Sequence, residues 1–218
     1  ALQRLEVQDF AMRFAQYTGP VTAKSVEDTL FYRIFPLVSL NEVGSNPARA
    51  EISVAAFHHH NQRRAQSFSH QMLAGTTHDT KRSEDVRARL NVLSECPQAF
   101  SESLQRWARM NRRYLTEVDG ARMPSAHHEY LLYQTLVGTW PGDAKAAREP
   151  DYADRMVAYL QKAAREGKEQ SSWFSPDPTY EAALERFVRG ILEIGANNPF
   201  PEDLARFVAP LIPFGQWN

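Results

Sequence analysis

The densest run of chemically capable side chains is Thr76-Thr77-His78-Asp79-Thr80-Lys81-Arg82-Ser83-Glu84-Asp85. It follows Met72 to Thr77, a short stretch poor in charge that reads as a buried strand, and it leads into a helix. Ser83 offers a cap there, and Glu84 and Asp85 place acids in the first turn. In a β/α barrel, the rim at the C-terminal end of a strand is where catalytic groups sit. A His-Asp pair on that rim can hydrogen-bond adjacent hydroxyls of a sugar ring, and a carboxylate can stabilise an oxocarbenium-like transition state. The plainer alternative is a capped helix start with a solvated charge run, and spacing alone favours it.

Other candidates carry less. His58-His59-His60 invites a metal ion, but consecutive helical residues face different directions, so no metal site is expected. His127-His128-Glu129 lacks the second histidine of a zinc protease helix. Cys96, before Pro97, has no activating neighbour in sequence. Trp107, Trp140, Trp173 and Trp217 could stack on sugar rings, although core or interdomain packing accounts better for most of them. Arg106, Arg109, Arg112 and Arg113 recur at helical spacing and read as one solvated face.

The elements that must position these groups are mostly helices. The 218 residues are 43% hydrophobic and 23% charged, enough apolar mass for a core. A formal net charge of -1 speaks against a nucleic-acid partner. No apolar run approaches a membrane span, and one cysteine allows no intrachain disulfide, which agrees with a cytoplasmic location. Phe10, Phe14 and Tyr17 form a first stripe that Gly19-Pro20 should end. A second helix is expected from Val21 to about Phe35, stopped by Pro36, and a third from about Arg49 to Ser67. Stripes at Val86-Leu90-Leu93, Phe100-Leu104-Trp107-Tyr114, Tyr130-Leu136-Trp140, Tyr152-Met156-Leu160, Tyr180-Leu184-Phe187-Ile191 and Leu204-Val208-Leu211 predict the rest. Longer connectors are expected at about 118–125 and 141–150.

The chain also resembles the maltooligosyl trehalose synthases, enzymes of the α-amylase clan, over nearly its whole length. The signature stretch is Thr77-His78-Asp79-Thr80-Lys81-Arg82-Ser83-Glu84-Asp85-Val86-Arg87-Ala88-Arg89-Leu90. Gly19-Pro20-Val21-Thr22-Ala23-Lys24-Ser25-Val26-Glu27-Asp28-Thr29 with Phe31-Tyr32-Arg33 is similar too, as are Leu40-Asn41-Glu42-Val43-Gly44 and Asn46-Pro47 leading to Phe57-His58. Further matches are Glu129-Tyr130-Leu131-Leu132-Tyr133-Gln134-Thr135-Leu136, Trp140-Pro141 and Ser171-Ser172-Trp173. Ser25, where the family usually has glycine, and Ser45-Asn46, where it usually has Gly-Asp, depart from the pattern.

The resemblance implies an intramolecular glucosyl mutase that turns the reducing-end α-1,4 linkage of a maltooligosaccharide into an α,α-1,1 linkage. It implies Asp79 as the third carboxylate of a retaining site and His78 as its ring-binding partner, with Lys81 and Lys24 lining the sugar site. Arg82, Asn41 and Glu42 fall in family motifs as further substrate-binding candidates. No cofactor is implied. The nucleophile and the acid/base of the family lie on earlier barrel strands, so the expected partners are the remaining barrel and a C-terminal β domain. The implied fold is mainly α: a helical insertion with a small remnant of β/α barrel wall around 38–42 and 72–79. Residues 1–95 would be the barrel-associated segment with the Lys24 and His78-Asp79 motifs, and 96–218 a helical subdomain. Such a chain is expected to be inactive alone. The rival reading is a stand-alone helical binding or scaffold module without catalysis, which native chain ends at Ala1 and Asn218 would favour.

Overall fold

A computed structural model describes residues 2–46, 48–49, 51–141, 150–195 and 197–218. The described residues are mainly helical, as expected. The core is organised by α5 (Ala126–Thr139), whose residues Leu131 to Gly138 are all buried, the polar Gln134 and Thr135 among them. A helix covered on every side can only be central. Ser125 starts it, its hydroxyl accepting from the His128 amide at 3.3 Å. Against α5 pack α3 (Glu84–Asn91) and α6 (Pro150–Gly167). Gly138 permits the closest approach, since an added Cβ would lie 2.9 Å from Val86 Cγ1 and 3.1 Å from Leu90 Cγ.

Around this centre run α4 (Pro97–Asn111), α7 (Pro178–Leu192), α8 (Phe200–Val208) and α9 (Leu211–Trp217). Asp177 caps α7 by accepting from the amides of Thr179 and Tyr180 at 2.9 and 3.0 Å, with Pro178 in the first turn, as the sequence predicts. The stripes from Leu90 to Leu211 supply the core: Leu90, Trp107, Leu136, Leu160, Leu184, Phe187, Ile191, Leu204 and Val208 are fully buried. Arg106 departs from the solvated face expected of it. It forks onto Asp203 at 2.8–3.1 Å beside the Trp107 indole, which donates to the same carboxylate at 2.8 Å, and so ties α4 to α8. The connector expected at 118–125 overlaps a hairpin that begins two residues earlier, β1 (Thr116–Val118) with β2 (Ala121–Met123), turned by Asp119 and Gly120 at φ 53° and 75°. Most of the other connector, residues 142–149, lies outside the described residues.

The first third differs more from expectation. The helix α1 (Leu2–Thr22) does not stop at Gly19-Pro20 but runs through it into a wider turn, Ala23–Glu27. Pro20 removes only one donor, and on an exposed helix water takes up the freed carbonyl. The second helix expected from Val21 to about Phe35 is replaced by the end of α1, that turn and a short 3-10 turn, Leu30–Tyr32; a second 3-10 turn, Val38–Leu40, follows Pro36. The helix α2 spans Val54–Ser67, later than expected, because the Ser53 hydroxyl caps it by accepting from Ala56 N at 3.1 Å. Met72 to Thr77 is not a buried strand: Met72 is 94% and Leu73 65% exposed. A strand needs neighbours to take up its amides and carbonyls, and among the described residues none lies beside this segment or beside 38–42, so the barrel-wall segments are present as turns and loop.

Candidate functional site

The sequence motifs meet on one polar ledge at the edge of the helical core. Its base is the bend at Phe31–Leu40. Val38 donates its amide to Gln134 Oε1 of α5 at 2.8 Å, and Gln134 donates back to Phe35 O at 3.2 Å. Asn41 is buried, and its side-chain amide donates to Phe31 O and Ile34 O at 3.0 and 2.7 Å. It faces inward and holds the bend closed.

Glu42 holds the motif that follows. Its carboxylate accepts from Lys81 N at 2.8 and 3.1 Å and from Arg82 N at 3.4 Å, and it pairs with Arg87 at 3.4 Å. A nearly buried carboxylate engaged by backbone amides and a guanidinium is a strong local anchor. It fixes the backbone two residues after Asp79. Thr80 closes the turn from the other side, its hydroxyl accepting from Thr77 N at 2.6 Å. Gly44, at φ 77°, turns the chain so that its amide reaches Glu27 Oε1 at 3.0 Å.

Asp28 was not among the residues expected to bind, yet it links the two lysines. Its oxygens accept from Lys81 Nζ at 3.1 Å and Lys24 Nζ at 2.5 Å. Burial pushes the Asp28 carboxyl up, and the two lysines outweigh it, so it stays below the usual carboxylate range. The hydrogen bond to Asp28 holds the Lys24 ammonium above its ordinary range, and the charge of Asp79 adds to that. The Lys81 side chain is 11% exposed, whereas that of Lys24 is 78% exposed. The only sequence signal for Asp28 was its place four residues after Lys24.

Arg82 points into the molecule. It donates to Tyr159 of α6, lies 5.7 Å from that ring's centroid, and reaches Val38 O at 3.5 Å. Tyr159 carried no signal in the sequence beyond the stripe of α6. The end of α6 is also fastened to the ledge: Arg33 donates to Gly167 O at 2.5 Å, and Lys168 Nζ donates to Thr29 Oγ1 at 2.9 Å.

His78 and Asp79 stand apart from this locked frame. Their side chains are 92% and 58% exposed, with His78 Nε2 4.0 Å from Asp79 Oδ2. Among the described residues, neither has a hydrogen-bond partner in the protein. The carboxylates nearest in the ledge are committed elsewhere: Asp28 to two lysines, Glu42 to amides and Arg87, Glu27 to Gly44. Retaining glycosyl transfer uses two carboxyls about 5–5.5 Å apart across the scissile bond, a nucleophile and an acid/base, and these engaged carboxylates do not offer that pair beside Asp79. His58, His59 and His60 are exposed on α2, and among the described residues no group of three or more His, Cys, Asp or Glu could hold a metal ion.

No family model matches the chain. A protein of Mycobacterium tuberculosis (strain CDC 1551 / Oshkosh), named as a maltooligosyl trehalose synthase, is 37% identical over 203 residues, covering 92% of this chain and 24% of that protein. A crystal structure of a maltooligosyl trehalose synthase superposes with a TM-score of 0.80 at 31% identity, over 92% of this chain and 25% of that one. The Arthrobacter ramosus maltooligosyltrehalose synthase gives 0.72 at 38% identity, over 94% and 24%. The chain thus has the sequence and fold of one helical segment of a much longer synthase, about a quarter of the length of the relatives it matches. The relatives and solved structures that it matches are maltooligosyl trehalose synthases, and the chain corresponds to one part of them. No helix among the described residues is long and apolar enough to cross a membrane.

Proposed function

We propose that this chain is the part of a trehalose-forming glucan mutase that presents Asp79 to the scissile linkage of a maltooligosaccharide and is inactive by itself. The reaction would be that of a (1→4)-α-D-glucan 1-α-D-glucosylmutase in the cytoplasm. One observation carries this reading: Asn41, Glu42, Lys81 and Arg82 are tied into the protein, while Asp79 is exposed and, among the described residues, has no hydrogen-bond partner. A carboxylate held on a rigid frame and left open is arranged to meet charge that develops on a substrate. His78 would bond ring hydroxyls, and the Lys24 ammonium would sit beside the sugar. Lys81 would line the site through its backbone and its bond to Asp28. Asn41, Glu42 and Arg82 are assigned positioning roles, since their polar atoms are already taken by the protein.

The nucleophile and the acid/base would come from the rest of the longer enzyme. Support comes from α1, where Leu5, Val7, Phe10, Met12, Phe14 and Tyr17 are 59–70% exposed. Apolar surface of that extent is a docking face, and the barrel would cover it. The division near residue 95 is kept as a functional one, with ledge motifs before it and helical mass after it.

The test is trehalose-ended product from maltopentaose, measured with the 218-residue chain and with the full-length enzyme that carries it. The chain alone should give none and the full-length enzyme should turn over. Product from the chain alone would overturn the reading.

A further inference from the structure

The loop after α6 bears two exposed aromatic residues, Trp173 at 52% and Phe174 at 98%. It is not a slack loop. Ser172 N donates to Ser175 O at 3.2 Å, and Ser175 N donates to Ser172 Oγ at 2.9 Å. The buried Ser171 hydroxyl donates to Glu181 Oε1 at 2.6 Å and accepts from Asp177 N at 3.1 Å. The Arg165 guanidinium lies 4.9 Å from the centroid of the Trp173 ring, so one face of the indole is held by a cation while half of the residue stays open. The loop adjoins the ledge, because the end of α6 that starts it is bound to Arg33 and Thr29.

Charge chemistry narrows what the open face takes. Arg165 is already spent on Glu181, with Nε to Oε1 at 2.7 Å and Nη2 to Oε2 at 2.5 Å, so no cation there is left for a phosphate or carboxylate. A flat indole covered on one face and half open, with the cation beside it already paired, suits a neutral ligand with an apolar face and a polar rim. A glucose residue has that shape: axial C–H groups on its face, hydroxyls at its edge.

We propose that Trp173, with Phe174 beside it, is a stacking platform for a glucose unit of a maltooligosaccharide, a glucan subsite adjoining the Asp79 ledge. The inference rests on the glucan reading above for the identity of the sugar. The platform adds grip on the chain away from the reacting linkage and therefore favours longer substrates over shorter ones.

The test is an NMR titration of the 15N-labelled 218-residue chain with maltoheptaose. The four tryptophan indoles and the backbone amides of Thr80 and Lys81 are followed together. The Trp173 indole should shift saturably while that of Trp217 does not. Trp173→Ala should weaken binding at that indole's neighbours about tenfold or more, and Trp173→Phe, which keeps a flat ring, should restore most of it. Circular dichroism melts of both variants check that the fold survives. If the Thr80 and Lys81 amides move and Trp173 stays still, the platform is overturned and the glucan reading stands. If Trp173 moves and the ledge does not, the platform stands and the ledge reading falls. Silence at both sites overturns both, and leaves the aromatic pair as a contact for the rest of the enzyme.

Discussion

Residues 84–218 and residues 4–79 obey different rules. In the later part, helices bury their apolar stripes on one another around α5, and Trp107, Leu136, Leu160, Leu184 and Phe187 have no exposure at all. In the earlier part, α1 and α2 keep Phe10, Phe14, Val54 and Phe57 more than half exposed, and only the bend from Phe31 to Asn41 enters the core. The later part buries most of its apolar side chains against one another, with Tyr32, Phe35 and Val38 added from the earlier part. The earlier part leaves its apolar helix faces exposed, with a polar ledge fastened to the later part by Gln134, Tyr159 and the end of α6. The difference teaches where stability and function separate: apart from the Phe31–Asn41 bend, the side chains that build the core lie after Ser83, and the carboxylate proposed to act lies before it.

The sharpest way to break this comparison is to remove a core side chain. Trp107→Ala should cost about 3–5 kcal/mol in urea unfolding, by cavity formation and by stripping Asp203 of its indole donor. Phe14→Ala in α1 should stay within about 0.5 kcal/mol. Comparable costs at both positions would contradict the division.

A pH scan sharpens it next. His128 is 2% exposed, its Nδ1 2.7 Å from the Tyr180 hydroxyl and 3.2 Å from Ser125 Oγ. Burial, with the nearby His127, pushes its pKa down to about 4. The unfolded chain therefore binds the proton more readily, and stability must fall as pH drops from about 6.5 towards 4, by about 3 kcal/mol in order of magnitude. The loss levels off below that window. His128→Asn should flatten that part of the profile, and an unchanged slope would place the titration elsewhere.

A smaller, local effect is expected at the ledge. Glu42→Gln keeps the size but removes the charge that pairs with Arg87 and strengthens the bonds from Lys81 N and Arg82 N. Stability should fall by about 1 kcal/mol, while hydrogen exchange at the Lys81 and Arg82 amides rises clearly. Exchange that spreads evenly through α5 would show instead that the ledge is part of the core.

The same division explains what was legible in the sequence. The stripes of α4 to α9 predicted helices correctly because their partners lie in the same chain, so periodicity and burial agree. The stripe Phe10-Phe14-Tyr17 has the same form, yet its residues are exposed, because periodicity reports a face and not what covers it. Met72-Leu73 was read as buried on composition alone and is exposed for the same reason. The hairpin at Asp119-Gly120 went unread although an Asp-Gly pair is a strong turn signal, since the flanking strands have only three residues each. At the ledge, residue type drew notice to His78-Asp79 although spacing alone favoured a solvated helix start, and the resemblance singled out Asp79, His78, Lys24, Lys81, Arg82, Asn41 and Glu42. Asp28 showed only through its place four residues after Lys24; its bond to Lys81 and that of Arg82 to Tyr159 span 53 and 77 positions, and no local pattern encodes such a contact.

The most direct test of the central claim is the rate of trehalose-ended product formation from maltopentaose by the full-length enzyme with Asp79→Ala, beside Phe14→Ala as a control. The account predicts a loss of about a hundredfold or more in kcat from the first, with unfolding midpoints unchanged because Asp79 makes no contact that holds the fold. A rate near that of the unsubstituted enzyme would contradict it and leave the ledge as a structural corner of a helical domain.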